Sequence, residues 1–409
     1  YIIQRVLFKY IKVKTKGQNE GEKLLVPKLR FKEFKDEWKT YNLKQVLEIK
    51  NGLNKEKESF GTGTPIINYM DVNKHTILTS DKIKGLVKLS KKEIDNFKVN
   101  KGDIFFTRTS ETSAEIGLSS SLIEDIENCV FSGFILKATP KKNIFNNLFS
   151  GYYFRTYKLR KEIIKHSSIT TRALTSGSLL YGMNIKIPNI DEQEKIGKTL
   201  YLLDKKTELQ QRRIEALKIY KKGLIQNLKS TSQNWIEYKI KNLFKIIRGH
   251  VIPKNILKVT PDEEYKYPVY SSQTSNYGIL GYDKTYDFDG KFLTWTTDGA
   301  NAGKVFYRNG KFRCTNVCGI LYSHKNSPYI NLLTADLLNY ETPKYVSYVG
   351  NPKLMNNVMA DIKIKLPSLE IQNKISHIFS VFNNKLFIEE NKLKNLNNFK
   401  KSLLQQMFI

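Results

Sequence analysis

Cysteine is scarce in this chain, with three residues among 409. An odd and sparse set predicts free thiols in a reducing compartment and excludes a disulfide-stapled scaffold. Cys314 and Cys318 lie in the strand-like stretch KFRCTNVCGILY, and no second pair of metal ligands flanks them. We therefore expect strand packing of these residues rather than a metal site.

Long apolar runs are also missing. No segment approaches the roughly 18 consecutive apolar residues of a membrane-spanning helix. In the N-terminal stretch YIIQRVLFKYIKVKTK, Arg5, Lys9 and Lys12 interrupt any signal-peptide core. These absences predict a cytoplasmic protein.

Acidic residues are few, with 39 Asp and Glu against 68 Lys and Arg, which gives a net charge of +29. A folded chain with this excess repels itself, so a polyanionic partner is expected, and nucleic acid is favoured over an anionic membrane. The apolar fraction of 40% is typical of a globular protein. At roughly 100–200 residues per domain, the length predicts two to four domains.

The chain offers no constellation of residues that would carry a reaction. GANAGK at 299–304 resembles a phosphate-binding loop but is one residue too short and lacks the Ser or Thr that follows the lysine. The histidines show no metal-ligand spacing; they are His75, His166, His250, His324 and His377. We therefore expect no catalytic residue, no metal and no cofactor on this chain.

An internal repeat is the main feature that is present. WKTYNLKQVLEIKNG, beginning at Trp38, matches WIEYKIKNLFKIIRG, beginning at Trp235, at an offset of 197 residues. IPNIDEQEKI, with its proline at Pro188, matches LPSLEIQNKI, with its proline at Pro367, at an offset of 179. Two copies with alike ends and different bodies predict one scaffold that carries two specificities.

Each proline phrase opens a long segment with seven-residue apolar spacing, which favours a coiled-coil seam. The predicted seam residues are Leu200, Leu203, Ile214, Leu217, Leu224, Phe379, Phe382, Leu393, Leu396 and Leu403. Polar residues interrupt both seams in step, Gln210 with Glu389 and Lys221 with Lys400, and such residues fix register at a cost in stability. The alternative is two amphipathic helices, each packed on its own domain.

The bodies between these ends predict short strands and a few helices, and hence an α+β fold. Strands are predicted at 102–110, 129–140, 291–297 and 311–324, because aromatic and β-branched residues stand there between turn formers. Helices are predicted at 146–167 and 327–348. The expected order is a Trp-led helix, a sheet, a helix, a proline turn and a long helix, and it occurs twice.

Loops between the strands mix Ser, Thr, Asn, Gln, Arg and Tyr, which can bond phosphates or base edges. They are 51–73, 106–117 and 167–178 in the first copy, and 248–255, 270–282, 295–304 and 348–357 in the second. For any single loop residue, ordinary turn chemistry is the alternative.

The two proline phrases, the Trp-led starts, the closing LLQQMF and the stretch YPVYSSQTSNYGILGYDKTYDFDG together resemble the DNA specificity subunits of Type I restriction-modification systems. The resemblance covers about residues 25 to 409. It implies two target recognition domains, joined by two long helices that pair antiparallel and fix the distance between two half-sites. The implied division is an unassigned extension at 1–24, recognition domains at 25–189 and 232–366, and helices at 190–231 and 367–409.

The same resemblance implies a non-catalytic chain that binds double-stranded DNA. Modification subunits with S-adenosylmethionine would methylate adenine, and restriction subunits with ATP and Mg would cut DNA. The paired helices would be the docking surface for the modification subunits. A helix of 39 residues spans about 58 Å, so helix length would set the spacer between half-sites.

Candidate DNA contacts follow from loop position and side-chain chemistry. Base-edge or backbone contacts are predicted for Arg108, Thr109, Gln273, Asn276, Tyr277, Thr296 and Asn301, and phosphate contacts for Arg172, Arg248 and Lys304. Two other functions stay open: a stand-alone nuclease or methyltransferase with a degenerate active site, and an RNA-binding repeat protein. A salt-dependent duplex-binding assay distinguishes these functions from DNA reading. A specific DNA reader keeps a sequence preference at higher salt, whereas an RNA-binding protein would favour single strands.

Overall fold

The computed structural model describes residues 11–13, 27–169, 172–231, 234–323 and 328–409. Two compact units divide the chain, unit 1 with residues 1–211 and 392–409 and unit 2 with residues 212–391. Both boundaries fall inside the long helices, so each unit contains one part of each. Apart from 11–13, the predicted extension at 1–24 lies outside the described residues.

Unit 1 is mixed α and β. Its strands are β1 (Ile11–Val13), β2 (Leu29–Phe31), β3 (Lys39–Asn42), β4 (Leu47–Asn51), β5 (Phe60–Ile67), β6 (Ile77–Leu78), β7 (Gly85–Val87), β8 (Ile104–Thr107), β9 (Thr109–Ser110), β10 (Ser119–Leu122), β11 (Val130–Phe131), β12 (Ile135–Pro140), β13 (Ser168–Ile169), β14 (Ala173–Leu174) and β15 (Asn184–Ile187). Its helices are α1 (Leu43–Val46), α2 (Tyr69–Lys74), α3 (Lys91–Phe97), α4 (Asn147–Tyr153), α5 (Tyr157–Lys165), α6 (Gly177–Tyr181) and the first part of α7 (Ile190–Ser230).

Unit 2 repeats this plan with fewer elements. Its strands are β16 (Ile236–Lys239), β17 (Lys245–Arg248), β18 (Tyr267–Tyr270), β19 (Ile279–Asp283), β20 (Lys291–Thr296), β21 (Val305–Asn309), β22 (Arg313–Cys314), β23 (Cys318–Tyr322) and β24 (Lys363–Leu366). Its helices are α8 (Ile240–Leu243), α9 (Leu332–Glu341), α10 (Asn356–Asp361) and part of α11 (Leu369–Gln406).

Sheet topology makes the repeat explicit. In unit 1 the strand orders are β4-β12-β8-β10-β6, β11-β5-β7 and β15-β3. In unit 2 they are β17-β23-β20-β21, β19-β18-β22 and β16-β24. The central strands are buried because they are apolar on both faces: the side chains of β8, IFFT, are all buried, and so are the last four of β20. The α+β prediction is therefore confirmed.

Three helix predictions need correction. The Trp-led segments each form a strand, a one-turn helix and a second strand, because β3 and β16 pair with β15 and β24. The helix predicted at 146–167 is split into α4 and α5, since Thr156 is extended at φ −65°, ψ 150°. The helix predicted at 327–348 shortens to α9, and Pro343 lies in the 3₁₀ turn that follows. Residue 327 lies outside the described residues.

The repeated proline motif attaches the start of each long helix to its unit through the hydrogen bonds of a buried glutamine. The buried Gln193 side chain donates from Nε2 to the carbonyl oxygens of Pro188 at 2.9 Å and Ile144 at 2.8 Å. In unit 2, buried Gln372 donates from Nε2 to Pro367 O at 2.9 Å and accepts from Asn331 Nδ2 at 2.8 Å. The phrase occurs twice because each unit fixes its helix start through one buried amide.

In unit 2 α7 and α11 pack antiparallel: Arg213 lies 3.8 Å from Glu389 and Lys221 donates to Asn383 Oδ1 at 2.8 Å, so numbering rises along one helix as it falls along the other. In unit 1 the two helices also contact each other, through Asp204 and Lys400. Of the predicted seam residues, five are buried, namely Leu200, Leu203, Ile214, Phe379 and Leu403. The half-buried ones are Leu217, Leu224, Phe382, Leu393 and Leu396.

Near the end of α7 the buried face of the helix no longer follows the predicted heptad positions. Ile225 is buried there, whereas the heptad neighbour Leu224 is only half-buried. A straight α-helix has 3.6 residues per turn, so a strict seven-residue stripe rotates away from its partner over several heptads. At the predicted polar interruption, the side chain of Glu389 is fully buried, and its carboxylate lies 3.4 Å from Lys385 and 3.8 Å from Arg213.

Candidate nucleic-acid interface

One hydrogen-bonded turn follows the central strand of each unit. In unit 1 the buried Thr107 hydroxyl donates to Glu115 O at 2.7 Å and accepts from Leu118 N at 2.9 Å. In unit 2 the buried Thr296 hydroxyl donates to Asn301 O and accepts from Lys304 N at 3.0 Å. We name the enclosed segments loop A, residues 108–116 in unit 1 and residues 297–302 in unit 2.

A glycine closes each loop A. Gly117 N donates to Thr107 O at 3.0 Å, and Gly303 N donates to Thr296 O at 2.8 Å. Both glycines have positive φ, +59° and +86°, which other residues rarely adopt. The two loops therefore share their ends and differ in length and content between them, as expected of a variable reader on a fixed support.

A second loop, loop C, runs beside loop A. It comprises residues 168–176 in unit 1, of which 170 and 171 lie outside the described residues, and residues 347–355 in unit 2. Thr175 N donates to Arg108 O at 2.9 Å, and Leu354 N donates to Thr297 O at 2.9 Å. Ser168 pairs with Leu174 and Ser347 with Lys353. The offset of 179 residues that relates the two proline motifs therefore also relates the residues of loop C in the two units.

A short connection between two sheets, loop B, completes the arrangement. Loop B comprises residues 132–134 in unit 1 and residues 315–317 in unit 2. Arg108 N donates to Phe134 O at 3.0 Å, and Thr297 N donates to Val317 O at 3.2 Å. Each unit thus presents one set of loops A, B and C, which we call the three-loop face. In unit 1, loops A and C fall within the loops predicted at 106–117 and 167–178, whereas loop B lies inside the strand predicted at 129–140.

The unit 1 face brings together two of the predicted residues. Thr109 and exposed Arg172 line a concavity of about 370 Å³, together with Tyr69 and the 64% exposed Phe134. Two acids, Glu111 and Glu115, line it as well. A guanidinium and a hydroxyl suit phosphate or base-edge acceptors, and a carboxylate suits an amino group such as that of cytosine.

Arg108 lies at the base of this face rather than at its surface. Its side chain is half-buried, and Nη1 donates to Gly133 O at 3.4 Å. Its backbone bonds to both Phe134 and Thr175. The residue therefore joins the three loops, and its predicted contact with DNA stays a prediction.

In unit 2 the predicted residues separate into two groups. Asn301 is exposed on loop A, whereas Thr296 is 1% exposed and its hydroxyl is engaged in the turn. Thr296 therefore shapes loop A from a buried position, and its predicted contact with DNA stays a prediction. Arg248 is half-buried beside α10, where Nε donates to Asn356 Oδ1 at 3.1 Å.

The remaining predicted residues lie around a second concavity in unit 2. Asn276, Tyr277 and Lys304 line a groove of about 860 Å³ with Lys218 and Lys221. Desolvation lowers the pKa of Lys304, and the two neighbouring lysines lower it further against the opposing effect of Asp336. The structure therefore places these residues beside two lysines of α7.

The loop beside this groove is conformationally unusual. Asn276 and Tyr277 both have positive φ, 49° and 55°, and the Tyr277 hydroxyl donates to Glu390 Oε2 at 2.8 Å. Gln273 turns inward, and its Nε2 donates to Ile279 O. The loop is thus held by its own contacts and by α11.

Sequence reasoning missed several exposed residues of the three-loop face. They are Phe134, Asn316, Tyr348, Asn351 and Lys353. For the three loop C residues the signal was the offset of 179 residues, which pairs Arg172 with Asn351 and Ile169 with Tyr348. The offset falls from 197 residues at Trp38 to 179 at loop C, because the loops between them differ in length in the two copies. The equivalence of loops A and B in the two units is therefore not visible in the sequence alone.

Within the residues that the structure describes, no cluster of three or more His, Cys, Asp or Glu side chains is arranged to hold a metal ion. No helix among them is long and apolar enough to span a membrane.

Comparisons with known proteins agree with this architecture. A family model described as the Type I restriction modification DNA specificity domain matches residues 35–218 and 232–398. A type I specificity subunit N-terminus of Mycoplasma pneumoniae is 47% identical over 146 residues, which is 36% of this chain and 76% of that protein. Another type I specificity subunit from the same organism is 37% identical over 213 residues, 50% of this chain and 82% of its own length.

A solved structure extends the likeness to the whole fold. The crystal structure of the S subunit of a Type I restriction-modification system from M. genitalium aligns with a TM-score of 0.64, covering 94% of this chain and 99% of that one. At 17% identity this likeness shows the fold alone. The family model matches each copy of the repeat separately, and its two segments cover most of the chain. The chain belongs to the family of DNA specificity subunits of Type I restriction-modification systems.

Proposed function

We propose that this specificity subunit reads a bipartite DNA target, with unit 1 reading one half-site and unit 2 the other. The observation that carries the proposal is the three-loop face, which both units build on the same hydrogen bonds, Thr107 with Leu118 and Thr296 with Lys304. The same support displays different side chains in each copy, such as Arg172 in one and Asn351 in the other. A split target with two unlike halves follows from that difference.

Charge supports duplex DNA as the ligand. The net charge of +29 supplies nonspecific attraction to phosphate. The loops add groups suited to base edges: exposed Asn301 suits adenine, and Arg172 suits guanine or phosphate. Phosphate contacts hold the protein on the duplex, and the base contacts choose the sequence.

Modification subunits would dock on the long helices. Leu202 and Leu209 lie one heptad apart on α7 and are 59% and 64% exposed. Val381 and Ile388, their counterparts at the offset of 179, are 59% and 48% exposed on α11. Apolar side chains that face water at matched positions in both copies suit two copies of one partner. We name these four residues the paired apolar sites.

The reactions would belong to the partners. Modification subunits would bind S-adenosylmethionine and methylate adenine in each half-site, and restriction subunits would use ATP and Mg to drive cleavage. This chain would recognise the target sequence through base contacts. It would also set the spacing between the half-sites through the lengths of α7 and α11.

The decisive experiment expresses the chain with and without its candidate modification subunit in a host that lacks adenine methylation, followed by genome-wide mapping of methyladenine. We expect a split motif with a fixed gap that appears only when both chains are present. Methylation by this chain alone would favour the stand-alone enzyme instead. A stable complex that methylates nothing would overturn the proposed role.

The RNA-binding alternative needs its own assay. Binding of labelled duplex DNA and single-stranded RNA is compared as salt rises, because nonspecific phosphate contacts weaken steeply with salt. A DNA reader keeps a sequence preference at the higher salt. Preference for single-stranded RNA under those conditions would contradict the proposal.

A further inference from the structure

Two cysteines stand at the base of loop B in unit 2. Cys314 ends β22 and Cys318 begins β23, and loop B is the three residues between them. The two Sγ atoms lie 3.5 Å apart, and the residues are 0% and 2% exposed. The thiols therefore face each other across the turn that forms loop B of the three-loop face.

A buried cation lies beside this pair. Arg308 is 6% exposed, its Nε donates to Thr294 Oγ1 at 3.1 Å, and its guanidinium carbon is 3.5 Å from the centre of the Tyr270 ring. Among the described residues no carboxylate forms an ion pair with Arg308. A buried cation without a carboxylate favours negative charge on a neighbouring group.

The ionisable groups that interact with Arg308 are the Tyr270 phenol and the two thiols, and burial raises the pKa of Tyr270. The contact between the two thiols lowers the pKa of Cys318, burial opposes that effect, and Arg308 lowers the pKa further. Burial raises the pKa of Cys314, which therefore stays protonated. A lowered pKa raises the fraction of Cys318 that is thiolate, and the thiolate is the nucleophile when a cysteine pair reacts.

Packing alone does not require the cysteines. In unit 1 the equivalent positions are Phe131 and Ile135: Leu53 N donates to Phe131 O as His250 N donates to Cys314 O, and Ile135 N donates to Ser132 O as Cys318 N donates to Thr315 O. Apolar side chains fill the same places there. The dithiol is thus particular to the second reader.

We propose that Cys314 and Cys318 form a reversible disulfide that controls DNA reading by unit 2. With a peroxide as oxidant, the Cys318 thiolate attacks one peroxide oxygen, the O–O bond breaks, and the departing hydroxide takes up a proton as water. Cys314 sulfur then attacks the resulting sulfenic sulfur, the S–O bond breaks, and a second water leaves. Two thiols lose two electrons and two protons, and the peroxide becomes two waters.

The bond would act on the three-loop face through the backbone. A disulfide needs the sulfurs about 2.05 Å apart, so the base of loop B must close. Val317 O in loop B accepts both Thr297 N at 3.2 Å and Thr297 Oγ1 at 2.9 Å, which ties loop B to loop A. Closing the base therefore shifts the residues that read DNA. This consequence, unlike the disulfide itself, rests on the proposed function.

Mass spectrometry of one tryptic peptide tests whether the disulfide between Cys314 and Cys318 forms. The purified full chain is treated with hydrogen peroxide, its free thiols are alkylated under denaturing conditions, and the tryptic peptide that follows Arg313, which contains both cysteines, is analysed. We expect this peptide to lose two hydrogens and take up no tag. Cys129, where burial raises the pKa to about 12, serves as the internal control and stays taggable. Two tags on the peptide, at a peroxide dose that oxidises free glutathione, would overturn the proposal.

The effect on DNA is measured on the same samples. We expect oxidised wild-type protein to bind its target duplex about tenfold more weakly, which is about 1.4 kcal/mol, and dithiothreitol to restore binding. Cys314→Ser should bind equally before and after oxidation, whereas Cys129→Ser should respond as wild type does. A disulfide that leaves affinity unchanged would refute the control of reading. If the reduced protein has no sequence preference, the proposed function fails, and the mass measurement still decides the disulfide.

Discussion

The Lys221 ammonium lies 2.7 Å from Oδ2 of Asp336, and the two side chains are 15% and 14% exposed. Unit 1 contains the matching lysine at the offset of 179, Lys400, which pairs with Asp204. In unit 2 the carboxylate comes from α9, whereas in unit 1 it comes from α7 itself. Each unit therefore has one lysine in its helix seam. The carboxylate that pairs with this lysine lies on a different helix in each copy, α9 in unit 2 and α7 in unit 1.

Removal of one partner from this buried pair should be costly. Replacement in Lys221→Met leaves Asp336 buried without its cation, so the free energy of unfolding should fall by about 3–5 kcal/mol at pH 7. Burial raises the pKa of Asp336, and Lys221 opposes that rise. Urea unfolding of the full chain at pH 7 and pH 5 measures the change.

The pH dependence has a definite sign. A carboxyl group whose folded pKa is raised favours folding below its unfolded pKa, and that contribution is lost as pH rises through the folded pKa. Without Lys221 the folded pKa of Asp336 rises further, so the loss should shrink as pH falls. Lys374→Met removes an exposed pair with Glu370 and should change stability by about 0–1 kcal/mol. An equal loss in both variants, or one independent of pH, would contradict the role of burial.

Gly52 and Gly249 should not tolerate a side chain. A Cβ at Gly52 would lie 2.2 Å from Ser132 O, and one at Gly249 would lie 2.1 Å from Cys314 O. The backbone must move at either site, so Gly→Ala should destabilise by about 1–3 kcal/mol. Gly223→Ala is the matched control, since it meets nothing within 4 Å in α7 and should stabilise by about 0.5–1 kcal/mol. Thermal unfolding of the three variants tests this, and unchanged stability in G52A would show that the close approach is absent.

Loop substitutions should separate base reading from phosphate binding. Asn301→Ala should relax one position of the unit 2 half-site by about 1–3 kcal/mol, and Arg172→Ala should weaken all sequences and reduce the salt slope by about 1. Duplex binding across a panel of single-base variants measures both. Lys374→Ala, which removes the same charge from an exposed part of α11, should leave the panel unchanged. A uniform loss in N301A would remove it from the base contacts.

The paired apolar sites should bind modification subunits without supporting the fold. Leu209→Asp and Ile388→Asp change side chains that are mostly exposed, so unfolding should change by about 0.5 kcal/mol or less. Each should remove one modification subunit from the complex, as measured by light scattering after copurification. Val259→Asp, at an 87% exposed loop position, is the control. Full occupancy in both variants would place the docking surface elsewhere.

Helix length should set the gap in the DNA target. Seven residues inserted into both helices, after Gln211 and after Asn391, keep the seam in register and add about 10 Å. At about 3.4 Å per base pair, the gap between half-sites should grow by about three base pairs. Methylation mapping reports the gap directly, and an unchanged gap would refute the proposed ruler.

Much of the scaffold was predictable because local physics dictates it. Seven-residue apolar spacing predicted both long helices, and they run over Ile190–Ser230 and Leu369–Gln406. Aromatic and β-branched runs predicted the strands of both central sheets for the same reason, but the runs at 129–140 and 311–324 each form two strands in different sheets. The Trp-led segments were predicted wrongly as helices, because their pairing partners β15 and β24 lie more than a hundred residues further along the chain.

The candidate site was predictable only in part. The sequence by itself determined the repeat, the charge and the loops at the strand ends, and these depend on residue type and spacing. Only the tertiary structure decided that Thr296 is buried, that Asn276 and Tyr277 lie beside α11, and that loops A, B and C form one face. Those facts depend on hydrogen bonds such as Thr175 N to Arg108 O, between residues far apart in the chain, which no local pattern encodes.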